Sequence, residues 1–195
     1  MKFLFILLLS SASLWAYKPL EGDIIFQETG SLQGRAIKLA TKSRYTHVGI
    51  VFRQKNRWMV FEAVQPVRAT PLKRFIRRGR RGHYVVKRLS AGLSAANITL
   101  MKKLGRKHLG KNYDFAFNWS DKKMYCSELV YKLFNRALGI KLGQLQPLKN
   151  YDLSHPVVKR VLKKRYGARV PYNEPMISPQ SVFASDLLYT VITVN

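Results

Sequence analysis

Apolar positions along this chain recur with two periods, and its elements follow from them. Cys126–Leu138 carries the clearest helical stripe: Leu129, Val130, Leu133, Phe134 and Ala137 share a face, and Gly139 is placed to end the helix. Ser31 can cap a helix to about Thr41, with Leu32, Ala36, Leu39 and Ala40 on one side. Ser94 opens another to about Leu109, with Ile98, Met101, Leu104 and Leu109 near one stripe. A short basic helix is expected over Val157–Arg165. Asp23–Phe26, after the turn signal Glu21–Gly22, reads as a strand, as do Tyr84–Arg88 and Leu187–Val194. Val48–Phe52 and Arg57–Ala63 are β-rich runs split by the polar Arg53–Asn56, a hairpin signal. Strands cluster in the middle with helices around them, which predicts an α+β fold. No repeat, linker or low-complexity stretch divides residues 17–195, so one domain is expected there.

The first sixteen residues change the picture of where the protein works. Met1–Lys2 is a short positive start, Phe3–Leu9 is continuously apolar, and small residues at 10–13 lead to Ala16. That order matches a secretory signal peptide, residues 1–16, with cleavage expected after Ala16. The apolar run is too short to span a bilayer, which needs about 20 residues. A periplasmic or otherwise exported protein is the expectation. No Cys lies near the junction, so a lipid anchor there is not expected.

Composition adds a strong sign of charge. Thirty-five Lys and Arg stand against ten Asp and Glu, a formal +25. Between Ala63 and Tyr113 there are fourteen Lys and Arg and no acid, with Arg68, Lys73, Arg74, Arg77, Arg78, Arg80 and Arg81 in the first half. A second run, Lys159–Arg160 and Lys163–Arg165, lies on the late helix. Such runs form solvated faces, or attract an anionic polymer or phospholipid surface. No nucleic-acid motif accompanies the charge, so nucleic acid is not the expected partner.

The hairpin brings two chemical groups together. With Arg53–Asn56 as a four-residue loop, His47 lies opposite Glu62. A two-residue loop would shift the pairing and leave both on the same face, diagonally placed. A carboxylate beside an imidazole fixes its tautomer and stabilises its charged form, as a general base requires, although a purely structural pair has the same pattern. Cys126, the sole cysteine, begins the strongest helix. Unpaired N–H groups and a partial positive charge at a helix N-terminus favour a thiolate and can hold an oxyanion. Cys126 also falls on the inward stripe, so a buried hydrophobe remains the alternative. His83, His108 and His155 have no Cys, Asp or Glu at metal-ligand spacing, and neither a metal nor another cofactor is expected. Asp114 reads as a turn or cap residue, and Glu128 as a favourable charge in the first helical turn.

Five segments extend this reading: Gly22–Gln27 (GDIIFQ), Thr46–Ile50 (THVGI), Val60–Val64 (VFEAV), Gly110–Phe115 (GKNYDF) and Tyr125–Val130 (YCSELV). In this order they resemble the permuted papain-like, NlpC-type cysteine amidases of the YiiX/YaeF type, over almost the whole chain to Ser178–Gln180. The resemblance implies a circularly permuted papain-like fold, a central antiparallel sheet or barrel packed against helices, one of them bearing the nucleophile. It implies Cys126 as nucleophile, His47 as base and Glu62 as orienting residue, with His before Cys in the chain. It implies a covalent acyl-enzyme, the Cys126 N–H stabilising the oxyanion and Tyr113 lining the site. Tyr113 is also explained as a core aromatic beside Phe115 and Phe117. The expected function is an exported cysteine hydrolase cleaving amide bonds of cell-wall peptides or a related anionic envelope substrate. The alternatives are a lipid-directed thiol acyl hydrolase or acyltransferase, and a noncatalytic basic envelope-binding module touching the membrane surface.

Overall fold

The computed structural model describes residues 17–195; the expected signal peptide, residues 1–16, lies outside them. The chain runs β1 (Ile24–Gln27), α1 (Leu32–Thr41), β2 (His47–Gln54), β3 (Arg57–Glu62), β4 (Arg68–Pro71), α2 (Leu72–Arg78), β5 (Tyr84–Leu89), α3 (Ala95–Arg106) and α4 (Cys126–Leu138). It closes with β6 (Gln146–Pro147), α5 (Pro156–Tyr166), β7 (Pro175–Met176), α6 (Pro179–Phe183) and β8 (Leu188–Val194). Six strands form an antiparallel sheet in the order β4-β3-β2-β1-β5-β8, and β6 pairs with β7. This is the expected α+β architecture.

The central strands are buried on both faces, which is why they read as nearly unbroken apolar runs. Ile24, Phe26, Val48, Ile50 and Phe61 pack toward Met101 of α3 and Leu129, Val130 and Leu133 of α4. Ile25, Val51, Val60 and Val86 face the other way, onto Leu72 and Phe75 of α2. The caps of α1 and α3 are Ser31 and Ser94, whose hydroxyls accept from the N–H groups of Gly34 and Asn97. Gly139, at positive φ, ends α4.

One expectation is corrected. The hairpin loop has two residues, Lys55 and Asn56, both at positive φ, and Gln54 pairs with Arg57. That geometry matches the right-handed strand twist better than a wider polar loop. The Arg-rich run, read from its charge alone as a solvated or anion-attracting face, contains β4 and α2. Leu72, Phe75 and Ile76 form an apolar face at helical spacing, and the basic residues alternate around it.

Candidate active site

The corrected hairpin register sets the site. Ile50 pairs with Phe61, so one step further Gly49 stands across from Glu62, and His47 lies diagonally beyond. Gly49 is where the strands crowd: a Cβ there would come within 2.4 Å of Val60 Cγ1 and 2.8 Å of the Phe61 carbonyl oxygen. His47 Nε2 lies 2.6 Å from Glu62 Oε2. Arg78 Nη2, from the end of α2, donates to the same oxygen at 2.5 Å. The Thr70 hydroxyl donates to Oε1 at 2.5 Å. Phe75 stacks on the imidazole with ring centroids 5.6 Å apart. Glu62 is fully buried, so these hydrogen bonds replace water around it.

Cys126 meets His47 because α4, which Cys126 opens, packs against β2, which His47 opens. Thiol and imidazole lie close enough for each to stabilise the other's charged form. With Nε2 turned to Glu62, Nδ1 is the nitrogen left for sulfur. Burial opposes charge on all three groups, and their mutual contacts overcome it. Against burial, the His47 and Arg78 contacts hold the Glu62 carboxyl at about 2, below an ordinary 4.5. Burial would lower His47, but hydrogen bonds to Cys126 and Glu62 raise it from 6.5 to about 9. Burial pushes the Cys126 thiol up; His47 and the backbone N–H groups of Val48 and Ser127 outweigh this and bring it below its ordinary value. The arrangement can therefore hold a thiolate beside an imidazolium.

Tyr113 is both a core aromatic and a wall of the site. A short β-bridge to Met124 places it against the start of α4, and it is almost completely buried. Its phenol oxygen accepts from Gln33 Nε2 at 2.8 Å, and Gln33 Oε1 accepts from Arg165 Nη2 at 3.1 Å. Burial and the nearby Cys126 push the phenol well above its usual range, so it stays a neutral donor beside the sulfur. Two clefts meet at Gln33 and Ile37. One reaches Cys126 between α1 and α5 and has apolar walls including Ala36, Leu148, Val161, Leu162 and Met176. The other reaches His47 past Gln27, Thr29, Thr46, Gln65 and Arg78.

Arg78, Thr70, Gln33 and Arg165 were not foreseen. The apolar spacing within 72–76 is a signal for α2 and hence for Arg78; nothing local marks the other three. The remaining predicted polar residues lie elsewhere. Asp114 accepts from the N–H groups of Ala116 and Asn118, a turn role. Glu128 accepts from the Tyr125 N–H and from Lys132, and burial raises it to about 7. His155 caps α5. Burial and Lys111 lower His108 to about 4.

A buried thiol on a helix tip packed against an antiparallel sheet, beside an imidazole that bonds a buried carboxylate, is the arrangement of a papain-like cysteine hydrolase. More narrowly, the chain belongs to the C92 family of permuted papain-like amidase enzymes, YaeF/YiiX, whose family model matches residues 18–192. It is 45% identical over 190 residues to the uncharacterized protein YiiX of Escherichia coli K12, covering 97% of this chain and 94% of YiiX. A crystal structure of YiiX from E. coli O157:H7, described as a metalloprotein, matches with a TM-score of 0.89 and 46% identity, covering 91% of this chain and 99% of that one. Among the described residues here, no three His, Cys, Asp or Glu side chains gather as a group that could hold a metal ion.

Proposed function

We propose that this protein is an exported amidase of the cell envelope in which Cys126 is the nucleophile, His47 the acid–base and Glu62 the orienting carboxylate. The observation that carries the reading is the continuous line Cys126–His47–Glu62, with Glu62 pinned by Arg78 and Thr70. The Cys126 sulfur attacks an amide carbonyl, and the C–N bond breaks as His47 gives its proton to the leaving nitrogen. Water then attacks the thioester, its proton returns to His47, and the carboxylic acid leaves. Helix-tip N–H groups and the Tyr113 hydroxyl stand where the oxyanion forms.

Wall peptides and lipidated amides both fit an envelope enzyme. The apolar cleft favours the second. Amides and carboxylates of a wall peptide would lose water there without gaining partners, whereas each buried methylene of an alkyl chain gains about 0.8 kcal/mol. The acyl half of the substrate is thus read as a fatty chain. On the rim, Lys159, Arg160, Lys163 and Lys164 project from α5 into solvent, and no Asp or Glu pairs with them among the described residues. This face suits an anionic phospholipid surface, the natural source of such a substrate.

The test is mass spectrometry of intact protein incubated with wall fragments and with acylated amides. A covalent adduct on Cys126 and hydrolysis with the fatty amides, both absent in Cys126→Ala, are expected. Turnover that persists in Cys126→Ala would end the nucleophile reading; turnover of wall fragments alone would end the lipid one.

A further inference from the structure

Beside His47 lies a buried amide with no partner among the described residues. Gln27 ends β1 and pairs in register with His47 on one side and Tyr84 on the other. Directly opposed residues share a sheet face, with Cβ atoms about 4.5–5.5 Å apart, so the Gln27 side chain neighbours the imidazole. It is completely buried, yet it lines the cleft on the His47 side. Neither its Nε2 nor its Oε1 has a hydrogen-bond partner among the described residues. Its backbone carbonyl is occupied, accepting from the Thr46 N–H at 3.1 Å. Gly79, just past α2, leaves room for the amide: a Cβ there would come within 3.0 Å of Gln27 Oε1.

An unpaired amide is costly to bury and uncommon in native proteins. The other polar groups of this cleft are already engaged. The Thr29 and Thr46 hydroxyls bond each other, Gln65 Oε1 takes the Tyr113 N–H, and Gln33 joins Tyr113 to Arg165. Gln27 keeps a free donor and a free acceptor in the wall of the cleft that also holds His47. A peptide unit presents the complementary acceptor and donor. A plain alkyl chain beyond the scissile nitrogen presents no such pair, and would leave the buried amide unsatisfied when it filled the cleft.

We propose that Gln27 is the specificity residue of the leaving-group side, pairing with the C=O and N–H of a peptide unit, so that the substrate is an N-acylated peptide. This rests on the Cys126–His47 reading, which fixes where the leaving nitrogen departs. Chain cleavage forms the peptide amine and the free acid by the steps given above, with no further reactant than water.

The test compares two ligands with one acyl group, N-octanoyl-alanylglycine and N-octanoyl-butylamine, binding to Cys126→Ala protein in titration calorimetry. The acyl dipeptide is expected to bind tighter. Adding Gln27→Leu, or Gln27→Met should that variant not fold, is expected to shrink the ratio of the two affinities by about tenfold. Because the free amide is unpaired, the melting temperature of the Gln27 variant should match or exceed the parent's. An unchanged ratio, equal affinities in the parent, or no binding of either ligand overturns the proposal. Hydrolysis of the acyl dipeptide by protein with Cys126 intact is scored separately: its absence counts against the nucleophile and leaves the binding ratio to judge Gln27.

Discussion

Arg78 and His47 share one oxygen: both bond Glu62 Oε2, at 2.5 Å and 2.6 Å. The carboxylate is thereby held between a fixed cation and a titrating one, and the Thr70 hydroxyl fills its second oxygen. A buried carboxylate serving two cations cannot rotate to release either without leaving a lone pair unsatisfied. The imidazole is fixed in turn, with Nδ1 toward the thiol.

The first prediction concerns that carboxylate. Glu62→Gln keeps the shape and removes the charge, so amide turnover should fall by roughly 10²-fold or more. Stability should change with a definite sign. Glu62 is lowered from 4.5 to about 2, so its contribution is complete above about pH 4.5 and is lost as pH falls toward 2. The gap in unfolding free energy between wild type and Glu62→Gln, on the order of 3 kcal/mol at pH 6, should close by pH 2. Chemical denaturation at the two pH values measures it, and a gap that widens in acid contradicts the assignment.

The pH dependence of chemistry follows from the other two groups. The thiolate–imidazolium state begins at the depressed thiol pKa and ends where His47, raised to about 9, releases its proton. Amide turnover should therefore form a bell whose alkaline limb lies near pH 9, since His47 must still hold the proton it donates. Alkylation by iodoacetamide needs only the thiolate and should not fall on that limb. In His47→Ala the thiol loses its cation and burial dominates, so alkylation at pH 6 should slow by tenfold or more. Equal alkylation rates in the two proteins would sink the pair.

Acyl-chain length is read by the apolar cleft. Each added methylene should raise kcat/KM about fourfold until the cleft is full, from about 0.8 kcal/mol per methylene. Val161, on the α5 wall, narrows the slot when enlarged. Val161→Trp should cut kcat/KM for long-chain amides and spare acetyl amides, as a series of chain lengths will show. A uniform loss across the series would mean that the chain does not enter there.

Surface attachment is separable from catalysis. Partition onto vesicles containing an anionic phospholipid should weaken with added salt and survive Cys126→Ser. Replacing Lys159, Arg160, Lys163 and Lys164 by Gln should weaken it by about 1 kcal/mol per cation. Sedimentation with vesicles of anionic and of purely zwitterionic lipid provides the comparison. Indifference to salt, or equal partition to both, rejects this face as the contact.

Much of the site was legible because its signals are local. The Cys126–Leu138 stripe fixes a helix by its period, and Gly139 ends it, so the thiol's position at a helix tip needs no distant partner. The face shared by His47 and Glu62 survived an error in the loop, because moving the register by whole pairs preserves face parity. The loop itself was misjudged: a Lys at positive φ is intrinsically disfavoured, and only strand twist and the packed sheet select it. The Arg-rich helix hid because its apolar positions are few and scattered among cations.

The sequence by itself determined the four longer helices and five strands of the large sheet, the side of the hairpin that bears the imidazole, and the helix end that bears the sulfur, all set by periods of two and 3.6 residues. Tertiary structure decided the rest: which cation holds Glu62, the bridge from Arg165 through Gln33 to Tyr113, both clefts, and the unpaired amide of Gln27. Gln33 meets Tyr113 across 80 positions and Arg165 across 132. Contacts at that separation leave no periodic trace, because they are chosen by how whole layers pack rather than by neighbours along the chain.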